Sequence, residues 1–111
     1  MKTEQPILIT SITAPADLST KKNLFIGFNG NVCGNGEKAL GVLNANTNLG
    51  NQAPVMAIGI AIVISGAAVN QKAKVQSDAN GKAITFAAGE VNGYAMDAAA
   101  GADEFIRVRL V

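Results

Sequence analysis

The feature that most constrains the fold is a series of asparagine–glycine pairs spread along the chain. They occupy residues 29–30, 35–36, 80–81 and 92–93. Asn and Gly tolerate a positive φ, and an Asn-Gly pair between β-forming segments is the strongest short-range signal for a β-hairpin. No long stretch combines a 3.6-residue apolar period with helix caps, so the sequence predicts a mainly β protein with Gly/Asn-rich turns.

The clearest hairpin is predicted over residues 74–85, where short β-forming segments flank Asn80-Gly81. The other predicted strands cover residues 7–12, 24–28, 39–44, 54–64, 94–97 and 105–110. The last strand alternates, with Phe105, Arg107 and Arg109 on one face and Ile106, Val108 and Leu110 on the other. It is therefore expected to have one charged and one buried face. The small residues 98–102 could form one helical turn at most.

The length of 111 residues predicts a single domain. Residues 1–20 are interpreted as an extended N-terminal arm, and residues 21–111 as the β-rich domain. Two similar units, one from Gly41 to residue 57 and one from Gly93 to residue 108, each contain a short apolar strand, a connector with a second Gly, and another strand. They suggest a pseudo-symmetric domain, although glycine-rich β proteins also produce such echoes by chance. A small β-sandwich and an open barrel both remain possible.

Composition excludes most catalytic chemistry. The chain has no His, one Cys and a formal net charge of +1. This leaves no imidazole base or ligand, no thiolate zinc cluster and no electrostatic footprint for nucleic acid. We therefore expect no enzyme, no cofactor, no metal site and no nucleic-acid partner. Cys33 is interpreted as a small buried hydrophobe rather than a nucleophile.

Membrane and secretion signals are also weak. The apolar stretch that begins at Ala53 has a core of roughly 12 residues, short of the about 18 that a membrane span needs. The start of the chain shows only a three-residue apolar run, Ile7–Ile9, behind Glu4. We therefore expect no membrane partner and synthesis in a cytoplasm.

Seven segments in a fixed order resemble a known family. They are residues 25–30, 39–44, 54–59, 66–69, 74–83, 93–99 and 104–110. Their apolar-Gly-Val-Leu strand, Gly-Ala-Ala-Val step, Asp-x-x-Gly-Lys-Ala hairpin and terminal Ile-x-Val-x-Leu strand resemble the capsid decoration (cement) proteins of tailed bacteriophages, formerly a family of unknown function. The resemblance covers about residues 24–111. The chain departs from the pattern at Asn70-Gln71-Lys72-Ala73, where a Gly is expected, and in the Asn-rich segment 44–51.

The resemblance implies a non-enzymatic virion protein, with the tulip-like fold of other decoration proteins among the possible folds. Such proteins bind the outer surface of an expanded capsid, commonly as homotrimers at three-fold and quasi-three-fold sites. There they tie the major capsid protein subunits together against the pressure of packaged DNA.

Two sets of residues are candidate contacts. In the arm, a strand that adds to a coat-protein sheet edge is predicted from Pro6, Ile7, Leu8, Ile9, Thr10 and Ile12, which lack obvious local partners. Intersubunit ion pairs are considered for Asp103, Glu104, Arg107 and Arg109, although a solvated strand face is the more common role of such residues. The alternative function is a β-module outside a capsid that binds a carbohydrate or a partner protein.

Overall fold

The structure, a computed structural model, describes residues 2–111 and contains eight strands and no helix in that range. Met1, the first residue of the predicted arm, lies outside the described residues. The strands are β1 (Gln5–Thr13), β2 (Phe25–Gly27), β3 (Ala39–Leu43), β4 (Gln52–Ile64), β5 (Lys74–Ser77), β6 (Ala83–Thr85), β7 (Gly93–Ala95) and β8 (Phe105–Leu110).

The strands form one sheet, with seven of them in the order β2-β3-β4-β8-β7-β5-β6 and β1 paired with β4. All strand pairs are antiparallel. The two ends of the sheet meet because the backbone N–H of Phe25 donates to the carbonyl of Gly81, in the β5–β6 turn, at 2.8 Å. Ser65, just after β4, forms an isolated bridge with Ala83 of β6. The sheet is therefore a nearly closed barrel, which confirms the predicted mainly β, single-domain fold of the open-barrel type.

Two apolar clusters fill the domain. The larger one includes the fully buried Phe25, Val63, Ile106 and Val108 and lies inside the barrel. The smaller one consists of Ala14, Leu18, Ile26, Leu43, Ala53 and Val55. It joins the segment after β1 to β2, β3 and the first half of β4. Residues 14 and 18, which belong to the predicted arm, are thus part of the packed domain.

Two buried polar side chains hold the loops in place. Asn92 accepts a hydrogen bond from the backbone N–H of Ala39 at 2.9 Å and donates to the carbonyl of Glu37 at 3.1 Å. Gln76 accepts from the N–H groups of residues 87 and 88 and donates to Asn35. Every buried side-chain nitrogen and oxygen in residues 2–111 has a partner, as native interiors require.

The predicted hairpin is confirmed as β5 and β6, which pair across a turn that contains Gly81 at φ 78°. The Asp78 carboxylate accepts the N–H groups of Asn80 and Lys82 and closes this turn, as Asp does in Asx turns. All the other predicted strands are also present. The predicted helical turn at 98–102 is absent, because Ala99 pairs with Val69 instead.

Each of the two similar units contains an antiparallel strand pair, β3 with β4 in the first and β7 with β8 in the second. The two pairs are connected because β4 also pairs with β8. Their first glycines have the same role. A Cβ on Gly41 would collide with the carbonyl of Met56, and one on Gly93 would lie 2.5 Å from the carbonyl of Arg109. Each glycine lets the backbone of a neighbouring strand approach closely.

Candidate functional site

The strand β1 carries the largest exposed apolar side chains of the predicted arm. Ile7 is 80% exposed, and Leu8 and Ile9 are also exposed. Pro6 is exposed as well, whereas Thr10 and Ile12 are half-buried and Ile12 packs against the smaller apolar cluster. An exposed apolar run of this kind is a mark of an interaction site.

The strand β1 is nevertheless paired within the chain. Gln5 to Thr13 run antiparallel to residues 52–60 of β4, with register shifts on both sides of Leu8. The expectation that these residues lack a local partner is therefore wrong, because the long β4 offers them an edge. Within residues 2–111, β1 pairs with no strand other than β4, so its other edge has free N–H and C=O groups. The predicted strand addition to a coat-protein sheet remains a prediction.

Gly59 fits β1 against β4. Its φ is 131°, and a Cβ would lie 2.5 Å from the carbonyl of Gln5. Glycine adopts such a positive φ without a steric penalty. Gly59 of β4 therefore allows β1 to approach closely next to the register shift between Pro6 and Leu8.

The four charged candidates near the end of the chain have different environments. Arg107 forms a bidentate ion pair with Asp97 at 3.0 Å, and its backbone N–H donates to the same carboxylate. These bonds lower the pKa of Asp97 to about 2, with the Arg107 side chain as the largest cause. Asp103 forms an exposed ion pair with Lys82 at 2.6 Å. Glu104 accepts the N–H groups of Ala100 and Gly101.

Arg109 differs from the other three, because its side chain has no ion-pair or hydrogen-bond partner within residues 2–111. Its guanidinium lies 5.5 Å from the centre of the Tyr94 ring. Asp103 and Arg107 are thus paired within the chain, while Arg109 is exposed and available. The predicted intersubunit contacts of all four remain predictions.

A feature missed at the level of sequence is an open hollow of about 370 Å³ beside Arg109. Tyr94, Lys72 and Ile60 line it, and these residues come from segments far apart in the chain. The pairing of Tyr94 with Arg109, and of Arg109 with Ile60, brings them together. Only the strand order reveals this grouping, so no sequence signal could have found it.

Metal and nucleophile chemistry find little support in the described residues. No group of three or more Cys, Asp, Glu or His side chains in residues 2–111 is arranged to hold a metal ion. The thiol of Cys33 is fully buried, and burial, helped by nearby Glu37, raises its pKa to about 12. A thiol with so high a pKa is a poor nucleophile at neutral pH.

Across residues 2–111, no helix is long and apolar enough to cross a membrane.

Residues 3–110 match the family model described as phage cement protein. The chain therefore belongs to the phage cement protein family, and the resemblance noted in the sequence is confirmed. The family is one of structural capsid proteins rather than enzymes, which places the chain with the capsid of a bacteriophage virion. No curated protein matches the sequence.

The fold has a solved counterpart in the head fiber gp8.5 N base of bacteriophage phi29. The two chains superpose with a TM-score of 0.76 over 94% of this chain and 95% of the other, at 15% sequence identity. The two proteins therefore share a fold over nearly their whole lengths.

Proposed function

We propose that this protein decorates the outer surface of an expanded phage capsid and binds the major capsid protein. It does so as a homotrimer at three-fold and quasi-three-fold sites and stabilises the shell against the pressure of packaged DNA. Its place in the cement family carries the proposal. The fold shared with a head fiber base of phage phi29 is consistent with a domain that sits on a head surface.

The strand β1 offers a physical means of attachment. A free strand edge can add to the edge of another sheet, with backbone hydrogen bonds supplying affinity and alternate side chains supplying specificity. Ile7 and Ile9 are exposed, so they are available to pockets on a partner. We propose that β1 keeps its pairing with β4 and presents its free edge to a coat subunit.

A trimer would strengthen this attachment. Each protomer presents the same strand, and three-fold symmetry places three copies of it around the axis. Once one copy binds, the others bind at a high effective concentration, so weak contacts add up to strong avidity. Such a trimer holds three coat subunits together, and an outward force on one of them is shared by its neighbours.

Co-sedimentation with capsids tests the proposed function. Purified protein is mixed with expanded shells and with precursor shells of the phage that encodes it. We expect saturable binding to expanded shells and little binding to precursor shells. Expanded shells with bound protein should also melt at a higher temperature than bare shells. Absence of saturable binding to expanded shells would refute the function.

The contribution of β1 is tested by deleting residues 2–13 and by a milder variant, Ile7→Asp/Ile9→Asp. Charges on an edge strand oppose addition of another strand, so both variants should bind expanded shells more weakly. The control is Leu49→Asp, which places a charge at an exposed apolar residue outside β1, in the turn before β4. Unchanged capsid affinity in a folded Ile7→Asp/Ile9→Asp protein would exclude the β1 attachment.

The trimer is tested by sedimentation velocity in solution and by electron microscopy of decorated shells. Three copies around each three-fold position are expected. A monomer at high micromolar concentration that also binds the shell singly would exclude it.

A further inference from the structure

The outer face of the sheet carries one cross-strand row that joins four strands. Residues paired across antiparallel strands project from the same face of a sheet. Here the pairs link β5, β7, β8 and β4 in turn. In that order, the row consists of Lys74, Tyr94, Arg109 and Ile60. It therefore alternates between cationic side chains and side chains with large apolar surfaces.

Two open hollows flank this row and share Arg109 and Ile60 as their common wall. The first, of about 370 Å³, lies on the Tyr94 side and is also lined by Lys72 and Met96. The second, of about 350 Å³, lies on the β1 side and is lined mainly by apolar residues such as Ile7. Together they form a depression that is cationic at one end and apolar at the other.

The cations of this face are unpaired. Within residues 2–111, the side chains of Lys72, Lys74 and Arg109 have no ion-pair or hydrogen-bond partner, and no carboxylate lines either hollow. By contrast, Arg107 on the same strand is paired with Asp97. The face thus concentrates three positive charges in a chain whose net charge is +1. An occupant that complements it must be acidic.

A second copy of this chain is poorly suited to supply the acid. Of its eight acidic residues, Asp97 and Asp103 form ion pairs. Four others accept backbone N–H groups: Asp17, Glu37, Asp78 and Glu104. Only Glu4 and Glu90 have neither kind of partner within residues 2–111. Two such residues in a second copy would face three unpaired cations, so the charge balance favours a more acidic partner protein.

We propose that this depression, together with Lys74 at the end of the row beside Tyr94, docks an extended acidic segment of the coat protein. Its carboxylates would lie at Lys72, Lys74 and Arg109, and an apolar side chain would lie in the hollow beside Ile7. The proposal rests on the proposed function, which supplies the partner. It adds a second contact next to β1 and orients the domain, because the row and β1 would both face the shell. Complementary charge of this kind chiefly fixes orientation and speeds association.

The test is a charge reversal, Lys72→Glu/Arg109→Glu, measured by binding to expanded capsids of the phage that encodes the chain. The control, Lys21→Glu/Lys22→Glu, changes the net charge equally at residues outside both hollows. At low salt we expect the reversal to weaken binding by at least about tenfold and the control by less than about twofold. Added salt should weaken capsid binding by the wild type but leave binding by the reversal variant unchanged or stronger, because screening reduces the attraction in the first case and the repulsion in the second.

A milder variant, Lys72→Gln/Arg109→Gln, keeps the test valid if the reversal does not fold. It should weaken binding by about threefold. Equal binding by wild type and both folded variants would overturn this proposal and leave the proposed function intact. If the wild-type protein itself does not bind expanded shells, the proposed function is refuted instead. A variant that changes the oligomeric state in sedimentation velocity but keeps its capsid affinity would assign the face to a second copy and overturn the proposal.

Discussion

The strands β1 and β8 both pair with β4, yet they are stabilised in opposite ways. In β8, Ile106 and Val108 are fully buried in the barrel while Arg107 and Arg109 face outward. In β1, residues 5–9 are exposed on both faces of the strand. One strand is therefore held by apolar burial and the other mainly by backbone hydrogen bonds to β4.

Because of this difference, the stability of the domain depends mainly on strands such as β8, while β1 is free to bind a partner. Burial of apolar side chains is the main source of folding free energy, and β8 contributes to it with alternate residues. The strand β1 contributes little, and Ala14 and Leu18 just after it anchor its end to the domain. Its apolar side chains are thus left for a partner without weakening the barrel.

The largest expected effect is in native-state hydrogen exchange. The amides of Ile106 and Val108 should exchange only when the whole domain unfolds. The β1 amides that bond to β4 should exchange through local opening of β1, with protection factors at least about 100-fold lower. NMR exchange at several low urea concentrations separates the two routes. Equal protection in both strands would mean that β1 belongs to the same cooperative unit as the core.

The next largest effect is expected when one isoleucine in each strand is replaced by alanine and the losses of stability are compared. Ile106→Ala removes a fully buried side chain, so its free energy of unfolding should fall by about 2–5 kcal/mol. Ile7→Ala removes a side chain that is 80% exposed, and its effect should stay within about 0.5 kcal/mol. Urea unfolding measures both. A loss of similar size in the two variants would contradict the comparison.

The local features of β8 were predictable from sequence, whereas the partner of β1 was not. The alternation over residues 105–110 reports which face is buried, and the turn around Gly81 reports a hairpin, because both signals are local. The pairing of β1 with β4 joins residues from Thr13 and Gln52, 39 positions apart, to Gln5 and Ile60, 55 positions apart, and leaves no local trace in the sequence. The ion pair of Asp97 with Arg107 joins residues only ten positions apart, but no pattern in the sequence singles out Asp97 over the acidic residues nearer to β8. Within the chain, Asp103 pairs with Lys82 and Glu104 accepts the N–H of Ala100, and their predicted intersubunit ion pairs remain a prediction.

The residues of the candidate site were likewise predictable only where the signal is local in the sequence. The apolar run at Ile7–Ile9 was evident, and its exposure agrees with a role in contacts. The hollow beside Arg109 was not foreseen, because Tyr94, Lys72 and Ile60 meet only through the strand order. The helical turn that residues 98–102 could have formed is absent, because the bridge between Ala99 and Val69 overrides the helical propensity of alanine.

Replacing glycine by alanine should change the free energy of unfolding by less than the loss of the Ile106 side chain does. Gly93→Ala places a methyl group against the carbonyl of Arg109 and the side chain of Val108, at 2.5 Å from each. It should reduce the free energy of unfolding by about 1–3 kcal/mol, as overpacking does. Gly59→Ala strains the positive φ of this residue and places a Cβ against residues 5–7 of β1, so it should speed exchange of the β1 amides and leave β8 protected. The control is Gly101→Ala, because a Cβ at Gly101 would have no neighbouring atom within 4 Å. Deprotection of β8 by Gly59→Ala would contradict a locally held β1.

The smallest expected effect concerns the charged outer face of β8. Asp97→Asn removes the ion pair with Arg107 and should cost about 1 kcal/mol or less at pH 7, since both side chains are partly exposed. The pKa of Asp97 in the folded protein is lowered to about 2, against about 3.9 in an unfolded chain. The ion pair therefore stabilises the fold fully above about pH 4 and loses this effect as the pH falls towards 2.

The difference in urea midpoint between wild type and Asp97→Asn should accordingly shrink from pH 5 to pH 2. Asp103→Asn, whose carboxylate is 71% exposed in its pair with Lys82, is the control and should show almost no difference at any pH. If Asp97→Asn stays less stable than wild type by the same margin at pH 2, the ion pair is not the cause. The lower stability of Asp97→Asn would then come from the packing of the Asp97 side chain against the backbone of β8. In that case the outer face of β8, like its inner face, would be held by packing, and the contrast with β1 would become sharper still.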